Sequence, residues 1–202
     1  MNKYIVAALV AGLVAFAPAQ AQTAAELIEK ARAESREIEE LKAIMDGPDR
    51  NLRLAAFDAM MASDKPLFRS IATEAGLAST DSLLRAHALR AVIFNMSSLM
   101  VSLTVDPEAP KELKEASEKY LATRVPALAL SFHEKAPDTG TIDLRLGSSS
   151  NSGAAEVQGL NFIFTQHAYG SARGTLSLVD DTTLRGPISI DQARFIGTAK
   201  LR

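Results

Sequence analysis

Few side chains in this sequence are placed to do chemistry. Asp138-Thr139-Gly140-Thr141 sets a carboxylate between hydroxyls and a glycine turn. Such a carboxylate works as an acid or base when it shares a proton with a second one about 3 Å away. The tetrapeptide occurs once, and the other candidate carboxylates, Asp180 and Asp181, stand in Val179-Asp180-Asp181-Thr182-Thr183 without a glycine. Turn chemistry alone accounts for Pro137-Asp138-Thr139-Gly140. His87, His133 and His167 are too far apart for an i,i+4 or short-loop metal site. Serine is plentiful, but no G-x-S-x-G elbow is present. The polar run at 147–153 is expected to be a solvated loop, although it could act as an anion nest. No catalytic, cofactor-binding or metal-binding residue is assigned, and no cofactor is expected.

Asp138–Thr141 resembles the motif that surrounds each catalytic carboxylate of aspartic proteases. The resemblance implies a hydrolase built around Asp138, the remotest of three functional readings. Pro137 departs from the pattern, since that family has an apolar strand residue there.

The elements that would position these groups fall into two halves. The first 21 residues read as a targeting segment: Lys3 supplies positive charge, Tyr4 to Phe16 is apolar, and Ala19-Gln20-Ala21 fits signal-peptidase cleavage before Gln22. The expected location is therefore periplasmic or secreted, without stable membrane insertion after cleavage. The chain has no cysteine, so it has no disulfide, thiolate site or lipidated cysteine. A formal charge of −2 offers no bulk field for nucleic acid. The absence of tryptophan argues mildly against a sugar-stacking platform.

From Thr23 to about Arg124, Ala, Leu, Glu, Lys and Arg dominate, all strong helix formers. A first helix is expected over Ala24 to Met45, with Leu27, Ala31, Ile38, Leu41 and Met45 near one stripe. A coiled coil would need an apolar residue where Glu34 stands, so the helix is read as a charged cover for the helical part. Three sixteen-residue units follow: Asp46–Met61, Ala62–Leu77 and Ala78–Ile93. Leu52, Phe68 and Leu84 share a slot, as do Arg53, Arg69 and Arg85; Ala56, Ala72 and Ala88; and Ala59, Ala75 and Ala91. Both alanine slots are expected to face neighbouring helices. His87 stands where Ala55 and Ile71 do and is expected to be packed. Each arginine sits near a helix start, where the macrodipole disfavours a cation by about 0.3–1 kcal/mol, so each needs a partner. Asp49–Arg53 and Asp81–Arg85 have i,i+4 spacing, and Asp64 precedes Arg69. Over about Leu41 to Asn95 these residues resemble HEAT repeats, whose Asp and Arg positions link successive repeats. The resemblance implies α-solenoid architecture and no activity.

After Asn95 the pattern changes. Leu99 to Val105 alternates as a strand, and a helix is expected over about 110–122, burying Leu113, Ala116, Tyr120 and Leu121. Strands are expected near Ala127–His133, Thr141–Leu146, Glu156–Thr165, Arg173–Val179, Thr183–Ile190 and Ala193–Leu201. The expected fold is α+β: HEAT-like hairpins followed by a small antiparallel β-sandwich or partly closed barrel of six or seven strands. The domains read as 1–21 targeting, 22–95 helical, and 96–202 β-rich with one helix. The expected function is a non-catalytic periplasmic interaction or scaffold protein that binds another envelope protein or a peptide. The alternative is a hydrophobic or glycan ligand held in the β domain.

Overall fold

The computed structural model describes residues 23–145, 153–167 and 171–201. The expected targeting segment and most of the serine-rich loop lie outside these. Residues 38–202 form one compact unit and the chain up to Glu37 another. Four helices precede the sheet: α1 (Ala24–Met45), α2 (Arg50–Ala62), α3 (Pro66–Ala78) and α4 (Ser82–Asn95). Their starts are written locally. The Asp49 carboxylate accepts from the Asn51 and Leu52 N–H groups, and Asp81 accepts from Leu83 N–H. Pro66 opens α3, where no donor is needed.

The sixteen-residue register survives, but its core slots differ from expectation. Ala56, Ala72 and Ala88 are buried. The buried line continues four residues on, through Met60, Gly76 and Val92. A Cβ on Gly76 would lie 2.7 Å from that of Ala88 and 3.0 Å from the Phe57 ring, so α3 approaches its neighbours through a missing side chain. Ala59 is exposed and Ala75 and Ala91 only half-buried. A three-residue step rotates them off the packed face, which here follows the i±4 row. Leu52 is also corrected: it is 56% exposed, while Phe68 and Leu84 in its slot are buried.

The β part is β1 (Ser98–Val105), α5 (Lys111–Thr123), β2 (Ala127–Ala136), β3 (Thr141–Arg145), β4 (Gly153–Gln158), β5 (Asn161–Gln166), β6 (Ala172–Leu178), β7 (Thr183–Ile190) and β8 (Ala193–Lys200). Each strand pairs antiparallel with the next, and β8 returns to β1 from Val101↔Ala199 to Val105↔Phe195. The sheet is a closed eight-stranded barrel, neither a sandwich nor partly open. Closure removes the edges that would otherwise offer unpaired backbone groups. The eighth strand comes from the expected strand at 156–165, which is a hairpin. Gln158 pairs with Asn161 across a Gly159-Leu160 turn, and Gly159 has φ 57°, a conformation glycine adopts without strain.

Alternate residues point inward, and Phe162, Phe164, Phe195, Leu130, Leu176 and Ile188 are almost completely buried there. Two inward glycines make room for them. A Cβ on Gly174 would stand 2.8 Å from Phe164, and one on Gly197 would stand 2.3 Å from Ile188.

Both mouths are covered. The turns at 137–140, 159–160 and 179–182 share one end by meander topology, and α4 lies there. Arg90 donates to the Pro137 carbonyl, Arg85 to the Asp180 carbonyl at 3.4 Å, and Lys135 Nζ to the Phe94 and Met96 carbonyls at 2.8 and 2.7 Å. At the other end α5 packs against β8, with the Tyr120 ring 5.3 Å from that of Phe195. Leu113, Ala116, Tyr120 and Leu121 are half-buried, as their spacing suggested, but the deepest residue of α5 is Ser117. Its hydroxyl reaches the Leu113 and Arg194 carbonyls, each at 2.7 Å, and accepts from Arg194 N–H at 2.9 Å. One side chain thereby fixes the helix to the barrel rim.

Candidate functional site

The repeated arginines do a common job. Arg53 donates to the Gly47 and Pro48 carbonyls, Arg69 to Ser63, and Arg85 Nε to Leu77 at 3.0 Å. Arg85 and Arg69 meet carbonyl groups at the end of the preceding helix, where a cation is favoured, and Arg53 meets the two carbonyls of the connection that follows α1. The expected local Asp–Arg pairs do not form as such, because Asp49 and Asp81 serve as N-caps. Arg53 instead reaches across to Asp81, binding the start of α2 to the start of α4, and Arg50 approaches the same carboxylate at 3.5 Å. The Arg53 guanidinium holds the Asp81 carboxyl below its ordinary value near 3.8, with help from backbone N–H groups at the helix start.

That ion pair lies in a cleft of about 570 Å³ between the α1–α2 and α3–α4 connections, lined also by Met45, Ala75, Ser79 and Thr80. Arg53 Nε is buried there without a hydrogen-bond partner. A second cleft, about 460 Å³, opens at the opposite ends of α2–α4, with Met61, Val92 and Met96 beside Arg69, Thr73 and Asn95. A third, about 290 Å³, runs between α4 and the β4–β5 turn past Leu83, His87 and Arg90. Leu52, Leu67 and Leu83 are exposed at the helix starts. Apolar groups beside a few oriented polar ones are what a peptide-binding surface needs.

His87 is not packed as expected. Its side chain is 45% exposed, with its ring 5.9 Å from Phe57 and Nε2 4.0 Å from Asp58. It lines the cleft between α4 and the β4–β5 turn, which leaves the ring only partly covered. His133 and His167 are also exposed. Among the described residues no group of three or more His, Asp or Glu side chains could hold a metal ion.

Asp138 is exposed in the β2–β3 turn. Gly140 N–H donates to the Ala136 carbonyl at 2.9 Å, and the Thr139 and Thr141 hydroxyls meet at 2.8 Å. Gly140 has φ 81°, so the glycine answers to the turn. Asp180 and Asp181 belong to the β6–β7 turn, a different hairpin. Asp180 accepts from Thr182 N–H at 2.8 Å, which lowers its carboxyl below the usual value. Sequence reasoning missed Ser117, although it stands four residues after Leu113 on the face expected to be buried. It also missed the clefts, which arise only when loops distant in sequence meet.

Among the described residues no helix is long and apolar enough to cross a membrane. No family model matches this chain, and no curated protein or solved structure matches it.

Proposed function

We propose that this is a non-catalytic interaction protein of the periplasm that holds an envelope protein or peptide against its helical layer. The observation that carries the reading is the contrast between a barrel filled by its own side chains and helices that carry open clefts. Phe162, Phe164, Phe195 and Ile188 occupy the space a ligand carried in the barrel would need, and α4 and α5 cover the mouths. The cleft around Arg53 and Asp81 is the preferred contact, with exposed Leu52 and Leu83 at the neighbouring helix starts. The sixteen-residue steps of α2–α4 and the arginine caps between them support the HEAT-like reading. The leader-like first 21 residues support export.

A photoreactive side chain at Thr80 or Ser70 should yield discrete adducts in the periplasm, and one at Thr175 on the barrel wall should not. Adducts from Thr175 alone would overturn the reading. So would a lipid or glycan retained by the purified protein in native mass spectrometry, which belongs to the ligand-carrier alternative.

A further inference from the structure

We propose that the second cleft takes the free C-terminus of a polypeptide that ends in an apolar residue. The inference rests on the reading of the helical layer as a partner-binding surface, and it names the part of a partner this cleft holds. Met61 lies at the end of α2, Arg69 to Thr73 in the first half of α3, and Val92 to Met96 at the end of α4. Segments distant in sequence thus converge on a space of about 460 Å³, within the size range of ligand clefts. Met61, Val92 and Met96 supply its apolar part. Two of these are thioethers, whose flexible and polarisable side chains adapt to aliphatic or aromatic ends.

Charge selects the occupant. In the first cleft the cation is already held, since Arg53 donates to Asp81 and Asp46 lies beside them. The second is lined, among the described residues, by the cation Arg69 and by no carboxylate; Asp64 and Glu74, close along the chain, are not part of the lining. Arg69 gives one N–H to the Ser63 carbonyl, and a guanidinium carries further donors suited to a carboxylate. The Thr73 hydroxyl donates to Met61 Sδ at 3.7 Å, a weak bond that a carboxylate oxygen would displace. Asn95 Nδ2 donates to the Ala91 carbonyl at 2.9 Å, which leaves its amide oxygen to accept from a peptide N–H. A fatty acid has no N–H and would leave Asn95 idle. A peptide end uses the cation, the hydroxyl, the amide and the apolar floor together, the mode of C-terminal carboxylate capture.

Fluorescence anisotropy tests it with the chain from Gln22 onwards and the peptide Gly-Ser-Gly-Ser-Ala-Leu, labelled with fluorescein at its N-terminus. The free acid should bind saturably. The same peptide amidated at its C-terminus should bind roughly tenfold more weakly, because it loses the charge-assisted bonds. Ser70 is exposed on the cleft wall, so Ser70→Asp should weaken the free acid roughly tenfold and Ser70→Lys should tighten it. Arg69→Gln should bind acid and amide alike. Circular dichroism of the Ser70 variants should match the wild type, and Thr80→Asp in the first cleft should leave the affinity unchanged. No saturable binding, or equal binding of acid and amide by the wild type, overturns this proposal alone, since the crosslinks at Thr80 and Ser70 decide the partner-binding reading. A loss with Thr80→Asp but not with Ser70→Asp moves the peptide to the first cleft and also overturns it. Displacement by laurate at a lower concentration than by unlabelled peptide assigns the cleft to a fatty acid and overturns it too.

Discussion

In the barrel every second residue points inward, and the interior is filled by Phe162, Phe164 and Phe195 against leucines and isoleucines, with Gly174 and Gly197 giving way to the largest of them. In α2–α4 one buried line recurs every four residues and holds the small Ala56, Ala72, Gly76 and Ala88, where backbones approach closely, beside large buried side chains such as Phe57, Phe68 and Leu89. The barrel therefore encloses its largest apolar side chains, with Met100 and Val179 left exposed on its outside. In the helical part only α4 meets the barrel closely, and clefts and exposed leucines remain at the helix ends. Rigid support and adaptable surface are divided between the two regions by how many neighbours each element has.

The sharpest way to break this comparison is to empty the barrel. Phe162→Ala should cost about 3–5 kcal/mol in urea unfolding, because the enclosed site has little freedom to collapse. Phe132→Ala, at a half-buried position beside it, should cost clearly less. Equal costs would mean that the interior is looser than described.

In the helices the effect should be smaller and depend on slot. Ala72→Leu should overpack α3 against its neighbours and cost about 1–3 kcal/mol. Ala59→Leu, three residues past the buried slot of α2, should stay within about 0.5 kcal/mol. A large cost at Ala59 would restore the alanine-pair face that the sequence suggested.

The Arg53–Asp81 link should show itself through pH. Its carboxyl is lowered in the folded state, so the unfolded chain binds more protons in the acid range, and the link's contribution is lost as pH falls below about 4. Asp81→Asn should lower the melting temperature at pH 7, and the gap to the wild type should narrow towards pH 3. A gap independent of pH would show that the charge of Asp81, and with it the ion pair, does not carry its contribution, since asparagine keeps the N-cap.

The smallest effect is expected at Asp138. Asp138→Asn should change stability by less than about 0.5 kcal/mol, since asparagine suits the same exposed turn. A loss of hydrolytic activity on this substitution would bring back the protease reading.

The span of the first helix, the sixteen-residue spacing of the next three and most strand limits were readable because each depends on residues a few positions apart, whereas Asp49 and Asp81 were read as arginine partners and are N-caps. The span of α1 matches its expected limits, and β1 and β7 differ from theirs by one residue at most. The hairpin at Gly159 was readable in principle, since an isolated glycine inside a strand pattern signals a break, but the apolar alternation on either side masked it. Leu52 and His87 misled for another reason: sequence register places residues on equivalent slots of their helices, while burial depends on whether another helix lies opposite.

By itself the sequence determined the order of elements, the helical period of sixteen and the alternation that makes one face of each strand apolar. Only the tertiary structure decided that eight strands close into a barrel around Phe162, Phe164 and Phe195, and that the repeated arginines meet backbone carbonyls of the preceding segment while Arg53 reaches Asp81. Local hydrogen bonding and periodicity fix the first group within a few residues. The second depends on pairings such as Val101 with Ala199 and Arg90 with Pro137. Those form only once distant segments have packed, and the same composition could have satisfied its backbone in an open sheet.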